Sequence, residues 1–100
     1  MLIYLIILRS QQKKSRHVLN WTPEDVVKWL HKYASPVGAK YSEIFEANSI
    51  NGMCLRLMTD EWLLRLGIAD QSDRSALMSH IYRMRLKYDS SDLSDMLKNN

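Results

Sequence analysis

The amino-acid sequence predicts an all-α fold, a compact five-helix bundle with a long C-terminal helix. Three observations predict it. Apolar residues recur at helical spacing behind well-formed helix starts, as at Val26, Trp29, Leu30 and Tyr33. Only three Gly and two Pro occur, too little turn chemistry for a sandwich or barrel of many short strands. Finally, 100 residues that are 46% apolar and 25% charged make one ordinary globular domain with little room for a second.

The first helix announces itself at Trp21-Thr22-Pro23-Glu24-Asp25-Val26. Thr22 is placed to cap it, Pro23 stands where a missing N–H costs nothing, and Asp25 lies three residues past the cap. Trp21 and Val26 have the spacing of a hydrophobic staple. Pro36-Val37-Gly38 should stop this helix. A second is expected from about Ala39 to Ala47, with Tyr41, Ile44 and Phe45 inward and Glu43 and Glu46 outward. Asn51-Gly52 reads as a turn and Gly52 to Met58 as one short helix. Thr59 caps a fourth, whose first turn holds Asp60 and Glu61 near the positive end of the helix dipole. Leu63 and Leu66 give its buried stripe, and Gly67 is a natural left-handed terminator. The fifth starts near Asp70 to Ser72 and runs to about Tyr88, with Leu77, Ile81, Met84 and Tyr88 on one face.

The predicted organisation is therefore a leader at 1–19 outside the core, a helical domain at 20–88, and a polar tail at 89–100. The tail has room for one more amphipathic turn at Leu93, Met96 and Leu97. Residues 1–8, MLIYLIIL, are wholly apolar but far shorter than the roughly 20 residues that span a bilayer. A peripheral membrane contact of residues 1–16 is the sharper reading of this leader. A segment outside the core, or packed on the domain's own surface, is favoured, since one short anchor binds membranes only marginally.

The net charge is +3, yet residues 1–20 hold Arg9, Lys13, Lys14 and Arg16 and no acid, so the body has ten basic and eleven acidic groups. The basic character belongs to the leader. A lone cysteine, Cys54, excludes an intrachain disulfide and points to a reducing, cytoplasmic setting. Beside Leu55 it reads as a small core residue.

In order along the chain, these features resemble a sterile alpha motif (SAM) domain across about Trp21 to Leu86. The series comprises Trp21 to Val26 with Trp29-Leu30, Tyr41, Phe45, Ile50-Asn51-Gly52 and Leu55. It continues with Met58-Thr59-Asp60, Leu63, Leu66-Gly67-Ile68, Arg74, Leu77 and Ile81. The fifth helix starts on Asp70-Gln71-Ser72-Asp73-Arg74 and passes out through Arg85-Leu86-Lys87, similar to the small single-domain Hyphen/Aveugle-type members. That resemblance implies pairing with the SAM domain of a connector-enhancer scaffold, serving kinase suppressor of Ras and Raf signalling. One departure stands out: the family usually has two adjacent leucines in the third helix, whereas Leu55 is followed by Arg56 and Leu57.

Catalysis finds no support. His17, His31 and His80 are scattered, with His31 and His80 expected at the surface, and neither a serine nor Cys54 sits in a nucleophile motif. Zinc spacing and glycine-rich phosphate loops are missing, so no metal, cofactor or small-molecule substrate is expected.

The family implies binding through two unlike faces. The mid-loop face would carry Trp62, Met53, Glu43, Glu46, Asp60 and Glu61; the end-helix face, the weaker here, Ile68, Asp70, Asp73 and Arg74. Because Leu63 and Leu66 point inward, Trp62 and Arg65 should point out, and the family usually has a polar residue where Trp62 stands. An indole offers about 150–250 Å² of buriable surface, and exposed Trp is enriched among binding hot spots. Asp70 and Asp73 offset Arg74, so one good face and one weak one favour a closed heterodimer over a head-to-tail homotypic oligomer. RNA-hairpin binding is the alternative class, through Lys28, Lys32, Arg83, Arg85 and Lys87 together with the basic leader. A neutral body argues against nucleic acid. The expected function is that of a non-catalytic cytoplasmic adaptor for another SAM-domain protein.

Overall fold

Thr22 does start the first helix. Its Oγ1 accepts from the Asp25 N–H at 3.2 Å while Asp25 Oδ2 accepts from the Thr22 N–H at 2.9 Å, a reciprocal capping box. The computed structural model describes residues 17–98, with side chains through Tyr88. A 3-10 turn, Val18–Asn20, precedes α1 (Pro23–Tyr33), α2 (Val37–Ala47), α3 (Gly52–Arg56), α4 (Asp60–Leu66) and α5 (Gln71–Lys98), and the described residues contain no strand. The helices α3, α4 and α5 each open on a side-chain cap, whereas α2 has none. Asn51 Oδ1 takes the Cys54 N–H at 3.0 Å, Thr59 Oγ1 the Trp62 N–H at 3.2 Å, and Asp70 Oδ1 the Asp73 N–H at 2.9 Å. Gly67, at φ 110°, ends α4 in the left-handed conformation that favours glycine.

The core gathers Val18, Val26, Leu30, Phe45, Leu55, Leu63, Ile68, Leu77 and Ile81, all essentially without exposed surface. Burying one such side chain stabilises the fold by about 1.5–3 kcal/mol, more than a surface ion pair contributes. The core therefore fixes how the helices sit, and surface charges adapt to it.

Several boundaries differ from the sequence expectation, each for a packing reason. The core begins earlier than residue 20, because Val18 is enclosed. The Gly52 N–H donates to the Trp21 carbonyl at 3.0 Å, and a Cβ on Gly52 would lie 1.6 Å from the Val18 carbonyl oxygen. Gly52 thus admits the N-terminal turn against α3 as well as serving a turn. Val37 and Gly38 belong to α2 instead of the linker. There Gly38 lets α2 approach α1, since a Cβ would come within 2.3 Å of the Leu30 carbonyl oxygen. Tyr33, expected on the buried stripe of α1, is exposed. Trp21 packs against the core that contains Val26, and its ring also meets Trp29 at 6.3 Å and Tyr88 at 5.7 Å. Burial, with a contribution from Tyr33, pushes the Tyr88 phenol above its ordinary value.

α3 ends at Arg56, short of Met58. With Gly52 and Leu55 as its buried positions, Cys54 is turned outward, so the core reading of that thiol is corrected: it is exposed. In the Leu55-Arg56-Leu57 departure, Leu55 is fully buried and Leu57 lies outside the core. α5 does not stop near Tyr88; its backbone stays helical to Lys98, through most of the expected tail. The leader residues 1–16 lie outside the described residues.

Candidate protein-binding face

The phase of α4 is set at both ends, by the Thr59 cap and by Gly67. Between them Leu63 is fully buried, which turns Trp62 outward. Trp62 is 54% exposed, a large fraction for an indole on a rigid helix. Its neighbours form a short ladder: Arg65 Nη2 bonds Glu61 Oε1 at 2.8 Å, and the Arg65 guanidinium lies 5.2 Å from the indole centroid. An exposed pair one helical turn apart contributes only about 0.3–0.5 kcal/mol, and an exposed cation–π contact about 0.5–1 kcal/mol. Such a cover is weak enough for an approaching surface to displace. Met53 on α3 and Glu43 and Glu46 on α2 are likewise exposed.

At the end-helix face the residues are largely engaged with their own domain. Ile68 is fully buried and supports that corner from beneath; it presents no side chain to a partner. Arg74 is 8% exposed. Its Nε donates to Asp60 Oδ1 at 2.9 Å, and Nη1 donates to the carbonyls of Ile68 at 3.0 Å and Ala69 at 2.8 Å. One guanidinium thus ties the start of α5 to the start of α4 and to the loop between them. Asp60, expected among the outward acids of the other face, is its partner and remains partly exposed. Asp70 caps α5.

Asp73 is also engaged. Its Oδ2 accepts from the Tyr41 hydroxyl and from Lys40 Nζ, the latter at 2.9 Å, linking α5 to α2. The Tyr41 hydrogen bond, then that of Lys40, holds the Asp73 carboxyl below its ordinary range. The same bonds raise the Lys40 ammonium, chiefly through Asp73, and raise the Tyr41 phenol, first through Asp73 and then through burial.

Neither the Arg74–Asp60 lock nor the Lys40–Tyr41–Asp73 cluster was foreseen. The signal available for the first was length. The seven residues of α4 rise only about 10 Å, and four residues, Gly67 to Asp70, join it to α5. That brings the first turn of α5 within reach of Asp60.

Among the described residues no group of three or more His, Cys, Asp or Glu side chains is arranged to hold a metal, and no helix is long and apolar enough to cross a membrane.

Comparison with known proteins gives two findings. The family model described as SAM domain (Sterile alpha motif) matches residues 19–85. A curated relative, Protein aveugle of Drosophila melanogaster, is 33% identical over 88 residues, covering 88% of this chain and 82% of that protein.

Proposed function

Since the chain belongs to the sterile alpha motif family, we propose that it is a non-catalytic adaptor that pairs with a second SAM domain through the Trp62 face. The carrying observation is the half-exposed indole on α4, with Glu61 and the partly exposed Asp60 beside it. Trp62 anchors the contact by burying its ring. Met53, Glu43 and Glu46 extend the surface, and the acids favour a basic partner face.

The pairing is heterotypic and closed. Arg74 is committed internally to Asp60, and Asp73 to Lys40 and Tyr41, so the start of α5 has little free charge to answer an acidic face on a second copy. A small rigid contact of this kind suits micromolar affinity, about 8 kcal/mol. By the same reading the partner is the SAM domain of a cytoplasmic kinase-signalling scaffold of the Ras/Raf type.

Titrating the labelled chain against a panel of SAM domains, each at several salt concentrations, tests this. Saturable one-to-one binding to one member, weakening mildly with salt, is expected. Binding to none of the panel, or tighter binding to an RNA hairpin with a steep salt slope, would contradict it.

A further inference from the structure

Away from Trp62, a second apolar patch is exposed among the described residues. Leu57, just past α3, is 68% exposed, and Tyr82 and Leu86, one turn apart on α5, are 54% and 68% exposed. Arg85 brings these elements together. Its Nη2 donates to the Met58 carbonyl at 2.6 Å, and its guanidinium lies 5.4 Å from the Tyr82 ring centroid. Leu57 precedes Met58 in the chain and Tyr82 and Leu86 stand on either side of Arg85, so this bridge joins the two segments that carry the exposed side chains. Single exposed apolar residues are ordinary; three large ones on two segments joined by one hydrogen bond offer apolar surface to a covering segment.

We infer that residues 1–8 of the same chain cover this patch. The point of attachment favours it. The His17 ring meets Tyr88 at 6.2 Å, and Val18 is held against α3 at Gly52, so the leader joins the domain between α3 and α5. Tyr88 lies about 3 Å from Leu86 along the helix axis but nearly opposite it around the helix, so the leader must pass around α5 to reach the patch. Residues 9–16, fully extended, reach about 26 Å. The composition also fits, since MLIYLIIL carries no charge and matches an apolar surface.

Charge guides the same docking. Residues 9–16 hold Arg9, Lys13, Lys14 and Arg16 with no acid, whereas residues 89–98, the continuation of α5, hold Asp89, Asp92 and Asp95 against Lys98. Opposite net charge in the two stretches favours their approach within about a Debye length. A tethered segment also meets its site at an effective concentration in the millimolar range, an advantage that a membrane or a second copy lacks.

The test places a photoreactive benzoylphenylalanine at Tyr4 in the full chain and maps the crosslinks by mass spectrometry. Intrachain crosslinks to the segments bearing Leu57 or Tyr82 to Leu86 are expected, with a several-fold lower yield in Leu86→Asp and, separately, in Leu57→Asp. Both side chains are exposed, and circular dichroism confirms that each variant stays folded. Trypsin cleavage at Lys13 and Lys14 should also become several-fold faster in both variants. Crosslinks between two chains, crosslinks chiefly to added anionic vesicles, or yields and cleavage rates indifferent to both substitutions would overturn the inference. The Trp62→Ala variant should leave the crosslinks unchanged, so failure here is separable from failure at the Trp62 face.

Discussion

Two corners of this small domain carry similar residues and use them in opposite ways. Around Trp62 on α4, an aromatic ring, an arginine and a carboxylate stand in solvent, joined by contacts that are individually weak. Around Arg74 at the start of α5, another arginine and another carboxylate are drawn into the fold, where the guanidinium also satisfies two backbone carbonyls. The difference lies in what closes over each group. α4 turns Trp62 away from the core, whereas the short α4–α5 connection folds Arg74 back onto Asp60. A charge in the sequence becomes a charge on the surface only where no neighbouring element claims it.

The contrast can be broken most forcefully at Arg74. Arg74→Ala strands the Ile68 and Ala69 carbonyls and removes a buried stem, and should destabilise the domain by about 3 kcal/mol. For a domain of this size that lowers the melting temperature by roughly 12 °C or more, measurable by calorimetry. A near-normal melting temperature would mean that Arg74 is not the lock described.

Trp62→Ala should show the mirror image. Partner affinity is expected to fall by about 2 kcal/mol, while stability changes by no more than about 0.5 kcal/mol. Asp60→Asn sharpens the boundary between the two regions, because Asp60 is partly exposed and also bonds Arg74. Denaturant titration should show a loss of about 1 kcal/mol, less than at Arg74, since the carbonyl contacts survive.

The smallest effect is acid sensitivity. Asp73 is held below its ordinary range by Tyr41 and Lys40, so its contribution is present above the unfolded carboxyl value, about 3.9. It is lost as pH falls through the lower folded value. Asp73→Asn should flatten this part of the stability profile below about pH 4. At the alkaline end, the raised Lys40 and Tyr41 contribute below their unfolded values and cease to do so as pH rises through the folded ones.

Most of the architecture was legible from local chemistry. Thr22, Thr59 and Asp70 start their helices and Gly67 ends one, because caps depend on residues only a few positions apart, while Asn51, read as part of a turn, also caps α3. Leu63 set the phase of α4, which made the outward direction of Trp62 readable as well. Residues whose environment is set by distant segments were less readable. Val18 is in the core because Gly52, far along the chain, opens room for it. Cys54 is exposed because α3 is too short to bury a second flank. The partners of Arg74, Asp60 and Asp73 depend on helix-to-helix distances that periodicity does not encode.

The most direct measurement follows the three indole N–H resonances, from Trp21, Trp29 and Trp62, while the paired SAM domain is titrated into the isotope-labelled chain. Trp62 alone should shift or broaden, saturating at one equivalent, with Trp21 and Trp29 held in place by their mutual packing. A stationary Trp62 signal, accompanied by shifts of the Asp70, Asp73 and Arg74 amides, would contradict the assignment of partner binding to α4.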